Sequence, residues 1–241
     1  MKGIILAAGR GSRLKKLTEN IPKGLVKFKG QTLLDGIINN FLSNKIKDIY
    51  VVTGYREKKI KSSLIEKIYN SKWNKSSIFK SLMCCEKILK KFPCVISYSD
   101  IYYKRKCIKV LKNMVGDICL LSNSNWKLQW KKRFSDPLSD LETFKVKKNI
   151  LIDIGRKTRN VNDINGQYMG LIKINPRGWK KIISHKKNYY KNKIDDLDIT
   201  KFLSTYIKNK NNKIFVKKIK TEWHEIDSQK DLYIARKNFE K

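Results

Sequence analysis

The sequence predicts an α/β fold in which a mostly parallel, doubly wound sheet is flanked by helices. Three observations carry this reading. Short apolar runs of strand length alternate with segments of helical period, the alternation persists from residue 3 past residue 120, and a glycine-rich loop follows the first run directly. At 241 residues a single core can still grow, and no Gly/Ser/Pro-rich linker or internal repeat divides the chain. Residues 1–241 are therefore expected to form one domain. Hydrophobic residues at 41% and aromatics at 10%, spread along the whole length, exclude a disordered chain despite 32% charged residues.

Gly3 to Ala7 reads as the first strand, because its apolar run is too short for a signal-peptide core and runs straight into glycines. Leu33, Leu34, Ile37, Ile38, Phe41 and Leu42 then mark one face of a helix over Leu33 to Ser43. With a strand over Asp48 to Thr53 this completes a βαβ unit, for which a right-handed crossover is expected. Helices over Lys58 to Ile68, Ile78 to Lys90 and Lys106 to Met114 alternate with strands at Cys94 to Tyr98 and Asp117 to Ser122. Further on, Glu142 to Val146 and Ile150 to Ile154 form a hairpin around residues 147–149, and Gln167 to Ile174 is another strand. Helices over Gly178 to His185 and Ile199 to Lys208 precede a strand over Lys213 to Ile219. A last helix runs from Asp227 through Phe239. The Lys/Asn run at 208–213 reads as a solvated turn.

The formal net charge of +34 first suggests nucleic acid or an anionic membrane surface. The basic residues, however, are 46 Lys against only 9 Arg, in a chain also rich in Ile and Asn. A surface selected to grip phosphates favours the bidentate Arg fork, whereas Lys, Ile and Asn share A/T-rich codons. The charge is therefore assigned to genome composition, and nucleic acid is not an expected partner. No apolar stretch reaches the ~18 residues of a membrane helix, so no membrane is expected and a cytoplasmic location is. Five cysteines without CxxC spacing argue against a disulfide framework or a zinc ribbon. The adjacent Cys84 and Cys85 read as packing residues.

The loop Leu6-Ala7-Ala8-Gly9-Arg10-Gly11-Ser12-Arg13-Leu14 lies at the carboxyl end of the first strand, where open α/β sheets bind ligands. Glycines let backbone N–H groups turn toward phosphate oxygens, and Ser12, Arg10 and Arg13 add donors and positive charge. Leu14 stands where a dinucleotide fingerprint has its third glycine, so that motif is excluded. Pro22-Lys23 follows, with a proline that fixes the backbone before a lysine aimed at the same phosphates. A tight turn carrying two surface cations explains the glycines alone, but not the combination.

The run Leu6-Ala7-Ala8-Gly9-x-Gly11-Ser12-Arg13-Leu14 with Pro22-Lys23 resembles the signature of the sugar-nucleotide type of nucleotidyltransferases. Thr53-Gly54-Tyr55, Ser97-Tyr98-Ser99-Asp100 and Trp223-His224-Glu225-Ile226-Asp227 extend the resemblance over nearly the whole chain. Trp126, Trp130, Arg133, Asp136-Pro137-Leu138, Glu142, Gly155, Lys157 and Gly166 to Leu171 are similar to the cytidylyltransferase branch, which handles phosphocholine, phosphonates and phosphoglutamine. The resemblance implies a Rossmann-like mixed sheet with an acceptor-binding insertion around 123–180. It also implies Mg²⁺-dependent transfer of CMP from CTP to a small anionic acceptor, with release of pyrophosphate. Two alternatives are a sugar-1-phosphate nucleotidyltransferase using UTP, dTTP or GTP, and a non-catalytic binder of nucleotides or nucleic acid. Oligomeric state stays open, a homodimer being one option.

Such a reaction crowds three anionic groups together, so it needs cations and a hard metal more than a nucleophile. Mg²⁺ keeps several waters and takes one or two carboxylates. The resemblance assigns the metal to Asp100 and Asp227, with Asp100 also near the nucleotide phosphates and Glu225 close by. A strand-end turn for Asp100 and a helix cap for Asp227 are the plain alternatives. Arg13 and Lys23 are the candidates for stabilising the triphosphate. Leu6, Ala7, Ala8, Gly9, Gly11, Ser12, Gly54 and Ser81 are expected around the nucleotide, with the backbone of Leu6 to Ala8 and the segment Tyr69 to Leu82 beside its base, where Ser76-Ser77 replaces an asparagine that relatives carry before the Ser-Leu pair. Trp126, Trp130, Arg133, Glu142 and Tyr168 are expected at the acceptor, with Trp179 a further candidate for its wall, aromatic faces being attractive to ammonium groups. Core packing explains Trp126 and Trp130, spaced four apart, equally well. His224 is expected to orient the acids, and His185 has no expected role.

Overall fold

The computed structural model describes residues 1–134, 136, 141–191 and 194–237. Its centre is a nine-stranded mixed sheet. In chain order the strands are β1 (Lys2–Ala7), β4 (Ile49–Thr53), β5 (Glu66–Tyr69), β6 (Cys94–Tyr98), β8 (Ile118–Asn123), β9 (Glu142–Lys147), β10 (Ile150–Lys157), β11 (Gln167–Ile174) and β12 (Phe215–Ile219). Two small antiparallel ribbons stand beside it, one pairing β2 (Lys27–Phe28) with β3 (Gln31–Thr32), the other β7 (Ile101–Tyr103) with β13 (Trp223–Glu225).

Spatial order is β5-β4-β1-β6-β11-β8-β12-β10-β9. The first four strands run parallel, β11 runs against β6 and β8, and β12 is parallel to β8. Strands β1, β6 and β8 are almost wholly buried, as expected of strands covered on both faces. Successive residues of β1 feed two cores: Ile4 and Leu6 join one, Ile5 and Ala7 the other. Helix α1 (Leu33–Leu42) covers the second face with Leu34, Ile37, Ile38 and Phe41, and Thr32 Oγ1 caps it by accepting from the Asp35 N–H at 3.0 Å.

The expected helix over Lys58 to Ile68 is not formed. A short 3-10 turn at Glu57–Lys59 and strand β5 replace it. Ile60 is buried but Leu64 is half exposed, so the helical spacing has no continuous apolar surface to cover, and 66–69 instead pairs with β4 at the sheet edge. The helix expected over Ile78 to Lys90 is two short helices, α2 (Ile78–Met83) and α3 (Glu86–Leu89), broken at Cys84-Cys85. The remaining helices are α4 (Lys106–Asn113), α5 (Trp126–Arg133), α6 (Pro176–Tyr190), α7 (Ile199–Tyr206) and α8 (Gln229–Lys237). The expected end of the last helix, Phe239, lies outside the described residues. Hairpin β9-β10 turns through Lys148 and Asn149, both at positive φ, as a two-residue hairpin loop requires.

Candidate active site

The sheet grows from β1 in both directions, β4 and β5 on one side and β6 on the other. The crevice outside the carboxyl ends of strands at such a point is where open α/β sheets bind ligands. There the loop after β1 and Ser99-Asp100 after β6 lie side by side. Gly11 is required twice over: its φ is +73°, and a Cβ there would lie 2.8 Å from Lys23 Cβ. Thr18 Oγ1 donates to the Gly11 carbonyl at 2.9 Å and Leu14 is fully buried, so both ends of the loop are pinned.

The β7-β13 ribbon explains how two distant acids meet. Glu225 pairs with Ile101, and the Ile226 N–H donates to the Asp100 carbonyl at 2.9 Å, which sets Asp100 beside Asp227. Trp223 anchors the ribbon by donating from Nε1 to the Met169 carbonyl at 3.1 Å. The Lys23 ammonium bridges the acids, 2.8 Å from Asp100 Oδ2 and 2.5 Å from Asp227 Oδ1. Arg13 reaches the same Asp227 oxygen at 3.0 Å from a largely exposed position. Burial alone would lower the Lys23 pKa, but the two carboxylates outweigh it and hold the ammonium above its ordinary value. Burial would likewise raise Asp227, and Lys23, Arg13 and Arg133 overcome that to hold it below the usual aspartate value. Glu225 goes the other way: desolvation and the neighbouring Asp227 and Asp100 push it up to about 7, against the pull of Arg133.

Two cavities meet at this cluster. One, of about 180 Å³, is lined by Leu6, Ala8, Gly9, Gly11, Trp73 and Ser81, with Lys23 and Asp100 at one wall. The other, of about 350 Å³, is lined by Tyr98, Glu142, Gln167, Tyr168, Asp198 and Glu225, with Arg13 and Asp227 in its wall. Ile78 borders both, and the ion pairs of Lys23 and Arg13 with Asp227 join the two walls.

Most of the expected nucleotide residues come together, with differences that the pleat explains. Leu6 and Ala8 face the smaller cavity, while Ala7 points into the opposite core. Ser12 is exposed and lines neither cavity. Gly54 stands behind the cavity: a Cβ there would lie 2.4 Å from Trp73 Cβ and 2.6 Å from the Ala8 carbonyl, which accepts from the Tyr55 N–H at 2.9 Å. Ser81 Oγ is held at 3.1 Å by Asn70 Nδ2, which also reaches Ser76. Asn70, directly after β5 and within the expected segment, thus supplies an amide beside Ser81.

On the acceptor side, Glu142, Tyr168 and Trp130 line the larger cavity, and Trp130 is otherwise buried, stacked on Trp223 at 6.0 Å between ring centroids. Trp126 and Trp179 are core residues and line neither cavity. Arg133 lines neither cavity and is buried among acids, with Nε 2.7 Å from Asp231 Oδ1 and Nη1 3.1 Å from Glu225 Oε2. Pro137 and Leu138 of the expected acceptor block lie outside the described residues. His224 packs against Phe28 and Tyr102, and burial and nearby cations lower its pKa to about 4, so it is neutral near pH 7. His185 sits in an aromatic cluster with Tyr190, Phe202 and Tyr206. Asn70 and Trp73 fall within the segment Tyr69 to Leu82 expected beside the base. Asp198 and Asp231 are the site residues that sequence reasoning passed over; only Asp231, three residues after Ser228, carried a local signal, that of a capping box.

Residues 3–124, half of the chain, match the model of the MobA-like NTP transferase domain. The chain is also 33% identical to the CTP:phosphoglutamine cytidylyltransferase of Campylobacter jejuni, over 97% of its own length and 98% of the relative's. This chain belongs to the MobA-like NTP transferase family. The transferase is a nucleotidyltransferase enzyme. It is 38% identical to the choline-phosphate cytidylyltransferase of Streptococcus pneumoniae over 34% of the chain and 38% of that protein. Its fold matches the solved CTP:phosphocholine cytidylyltransferase of Streptococcus pneumoniae with a TM-score of 0.74 at 20% identity, covering 98% of each chain. The inositol-1-phosphate CTP transferase of T. maritima matches with a TM-score of 0.76 at 21% identity, over 98% of this chain and 94% of that one. The Rossmann-like mixed sheet of the transferase is thus shared with nucleotidyltransferases. Among the described residues no helix is long and apolar enough to cross a membrane.

Proposed function

We propose that the transferase moves CMP from CTP to a small phosphorylated acceptor of the phosphoglutamine class. One observation carries the reading: two cavities of different lining meet at the cluster of Arg13, Lys23, Asp100 and Asp227. The smaller, with its glycine loop and Trp73, suits a nucleotide; the larger, polar and acidic with Arg13 at its wall, suits an acceptor that carries both a phosphate and an amine. CTP and phosphoglutamine are favoured by the relative that matches over nearly the whole of both chains. Residues 123–180 provide Glu142, Gln167 and Tyr168 and are read as the acceptor-binding insertion of a single domain.

In this reaction an acceptor phosphate oxygen bonds to the α-phosphorus of CTP as the bond to the bridging oxygen breaks, and pyrophosphate leaves with that electron pair. Lys23 and Arg13 offset the crowded negative charge, and the Gly9 to Gly11 loop holds the phosphates in line. Among the described residues no group of three or more His, Cys, Asp or Glu forms a metal centre. Mg²⁺ does not need one, since two carboxylates with phosphate and water oxygens suffice. The donor set fits: both candidate ligands offer oxygen, and Asp100 Oδ1 is buried without a hydrogen-bond partner. When bound by Asp100 and Asp227, Mg²⁺ would neutralise the triphosphate and pyrophosphate charge. The five free thiols suit a reducing cytoplasm, where we place the enzyme.

The test is acceptor-dependent pyrophosphate release by the purified protein with Mg²⁺, each of four nucleoside triphosphates, and a panel of phosphoglutamine, phosphocholine, 2-aminoethylphosphonate and sugar 1-phosphates. The reading expects release with CTP and phosphoglutamine above the other pairs. Preference for UTP or dTTP with a sugar 1-phosphate would replace it, and no release with any pair would end the enzymatic assignment of these cavities.

A further inference from the structure

Asp231 stands one turn into the chain's last segment, is buried, and uses both carboxylate oxygens. Its Oδ2 accepts from the Ser228 N–H and Oγ, each at 2.8 Å, and from the Asp227 N–H at 3.3 Å. Capping of α8 accounts for these contacts, because Ser228 Oγ also accepts from the Asp231 N–H at 3.2 Å. Capping does not account for Oδ1. That oxygen accepts from Arg133 Nε at 2.7 Å, and the same guanidinium contacts Glu225 at 3.1 Å and lies 3.8 Å from Asp227 Oδ2. Arg133 in turn lies over the ring of Trp130, in the wall of the larger cavity, with 4.9 Å to the centroid. The Asp227 carboxylate is therefore held from two ends, Oδ1 facing Lys23 and Arg13 and Oδ2 facing Arg133, while Asp231 holds its backbone.

We infer that Asp231 and Arg133 form a positioning pair that fixes the rotamer of Asp227 for metal binding and ties it to the acceptor wall through Trp130. The inference rests on the reading of Asp227 as a metal ligand. A buried guanidinium satisfied by two carboxylates on different elements is a rigid reference, and outer-shell partners of this kind commonly set metal affinity as strongly as a ligand's own environment does. A helix cap alone would govern stability and leave metal affinity untouched.

The experiment measures Mn²⁺ affinity by electron paramagnetic resonance in the presence of CTP, with thermal melting of each variant alongside. Asp231→Asn leaves either Arg133 or the N–H groups of Asp227 and Ser228 without their acceptor, and Mn²⁺ affinity is expected to fall about tenfold or more. CTP affinity measured without metal should stay within about twofold, since no nucleotide contact is removed. Asp227→Asn, in the same assay, separates the two ideas. If Asp227→Asn loses Mn²⁺ but Asp231→Asn binds it like the parent, the positioning pair is overturned and the ligand reading stands. If Asp227→Asn itself binds like the parent, the ligand reading falls and the pair falls with it. Should Asp231→Asn not fold, Arg133→Lys decides: it keeps the charge and leaves the cap intact but cannot reach Asp231 Oδ1, Glu225 and Asp227 Oδ2 together, so a loss of about tenfold supports the pair and an unchanged affinity overturns it.

Discussion

The ammonium of Lys23 lies 2.5 Å from Oδ1 of Asp227, although the two residues come from opposite ends of the chain. A cation in that place holds the acids together until a substrate or metal competes for them. It also places the lysine at the smaller cavity's wall, where a triphosphate would give it new partners.

Replacing Lys23 by Met is therefore expected to lower turnover about 10²-fold or more, because a charge aimed at the developing transition state is lost. Lys23→Arg should restore little, since the planar fork cannot reproduce a point charge bonded to two carboxylates. Initial rates of pyrophosphate release at saturating substrates provide the measurement, and near-parental turnover in Lys23→Met would remove the lysine from the chemistry.

Gly54 has no room for a side chain, since a Cβ would lie 2.4 Å from Trp73 Cβ and 2.6 Å from the Ala8 carbonyl. Backbone cannot yield as a flexible side chain does, so Gly54→Ala should destabilise by about 1 to 3 kcal/mol and displace Trp73 from the cavity wall. A lower melting temperature together with a raised KM for the nucleotide is expected. A parental KM would show that Trp73 contributes nothing to nucleotide binding.

The strand, helix and strand from β1 to β4 were legible in the sequence because their signal is local: Leu34, Ile37, Ile38 and Phe41 mark the buried face within one helix. The loop that follows β1 was legible for the same reason. The segment over 58–68 misled because Ile60, Leu64 and Ile68 share a helical spacing, whereas the sheet edge offered pairing to 66–69. Periodicity carried no sign that Asp100 and Asp227 would be neighbours, since two three-residue strands, β7 and β13, make the connection. Arg133, expected at the acceptor, is instead drawn into the core, because Asp231, far along the chain, neutralises it there.

Burial pushes the thiols of Cys94 and Cys107 up to about 12 and that of Cys119 to about 11, and raises Cys85 further. Cys84 is half-buried, and desolvation raises it in spite of nearby Lys80. A thiol reagent at pH 8 is therefore expected to label Cys84 alone, slowly, in the native protein, and all five cysteines in denaturant. Cys84→Ser should leave turnover unchanged. Rapid native labelling of two or more thiols would contradict the burial that sets these values.

Asp117 links β8 to α6: its carboxylate accepts from Arg177 Nε at 2.6 Å, Lys181 Nζ at 2.9 Å and Asn175 Nδ2 at 3.1 Å. Burial would raise its pKa, and these donors outweigh burial and hold it below the ordinary aspartate value. A group whose folded pKa is depressed contributes stability that is fully present above its unfolded value, near ~4, and lost as pH falls through the folded one. Asp117→Asn should accordingly lower stability at pH 7 by about 1 to 2 kcal/mol, the partly exposed cations keeping the effect modest. The gap between parent and variant should narrow once the pH falls below the unfolded aspartate value and close only as it falls through the lower folded one. Urea unfolding midpoints at a series of pH values measure it, and a gap of constant size across that range would mean that Asp117 titrates alike in the folded and unfolded chains.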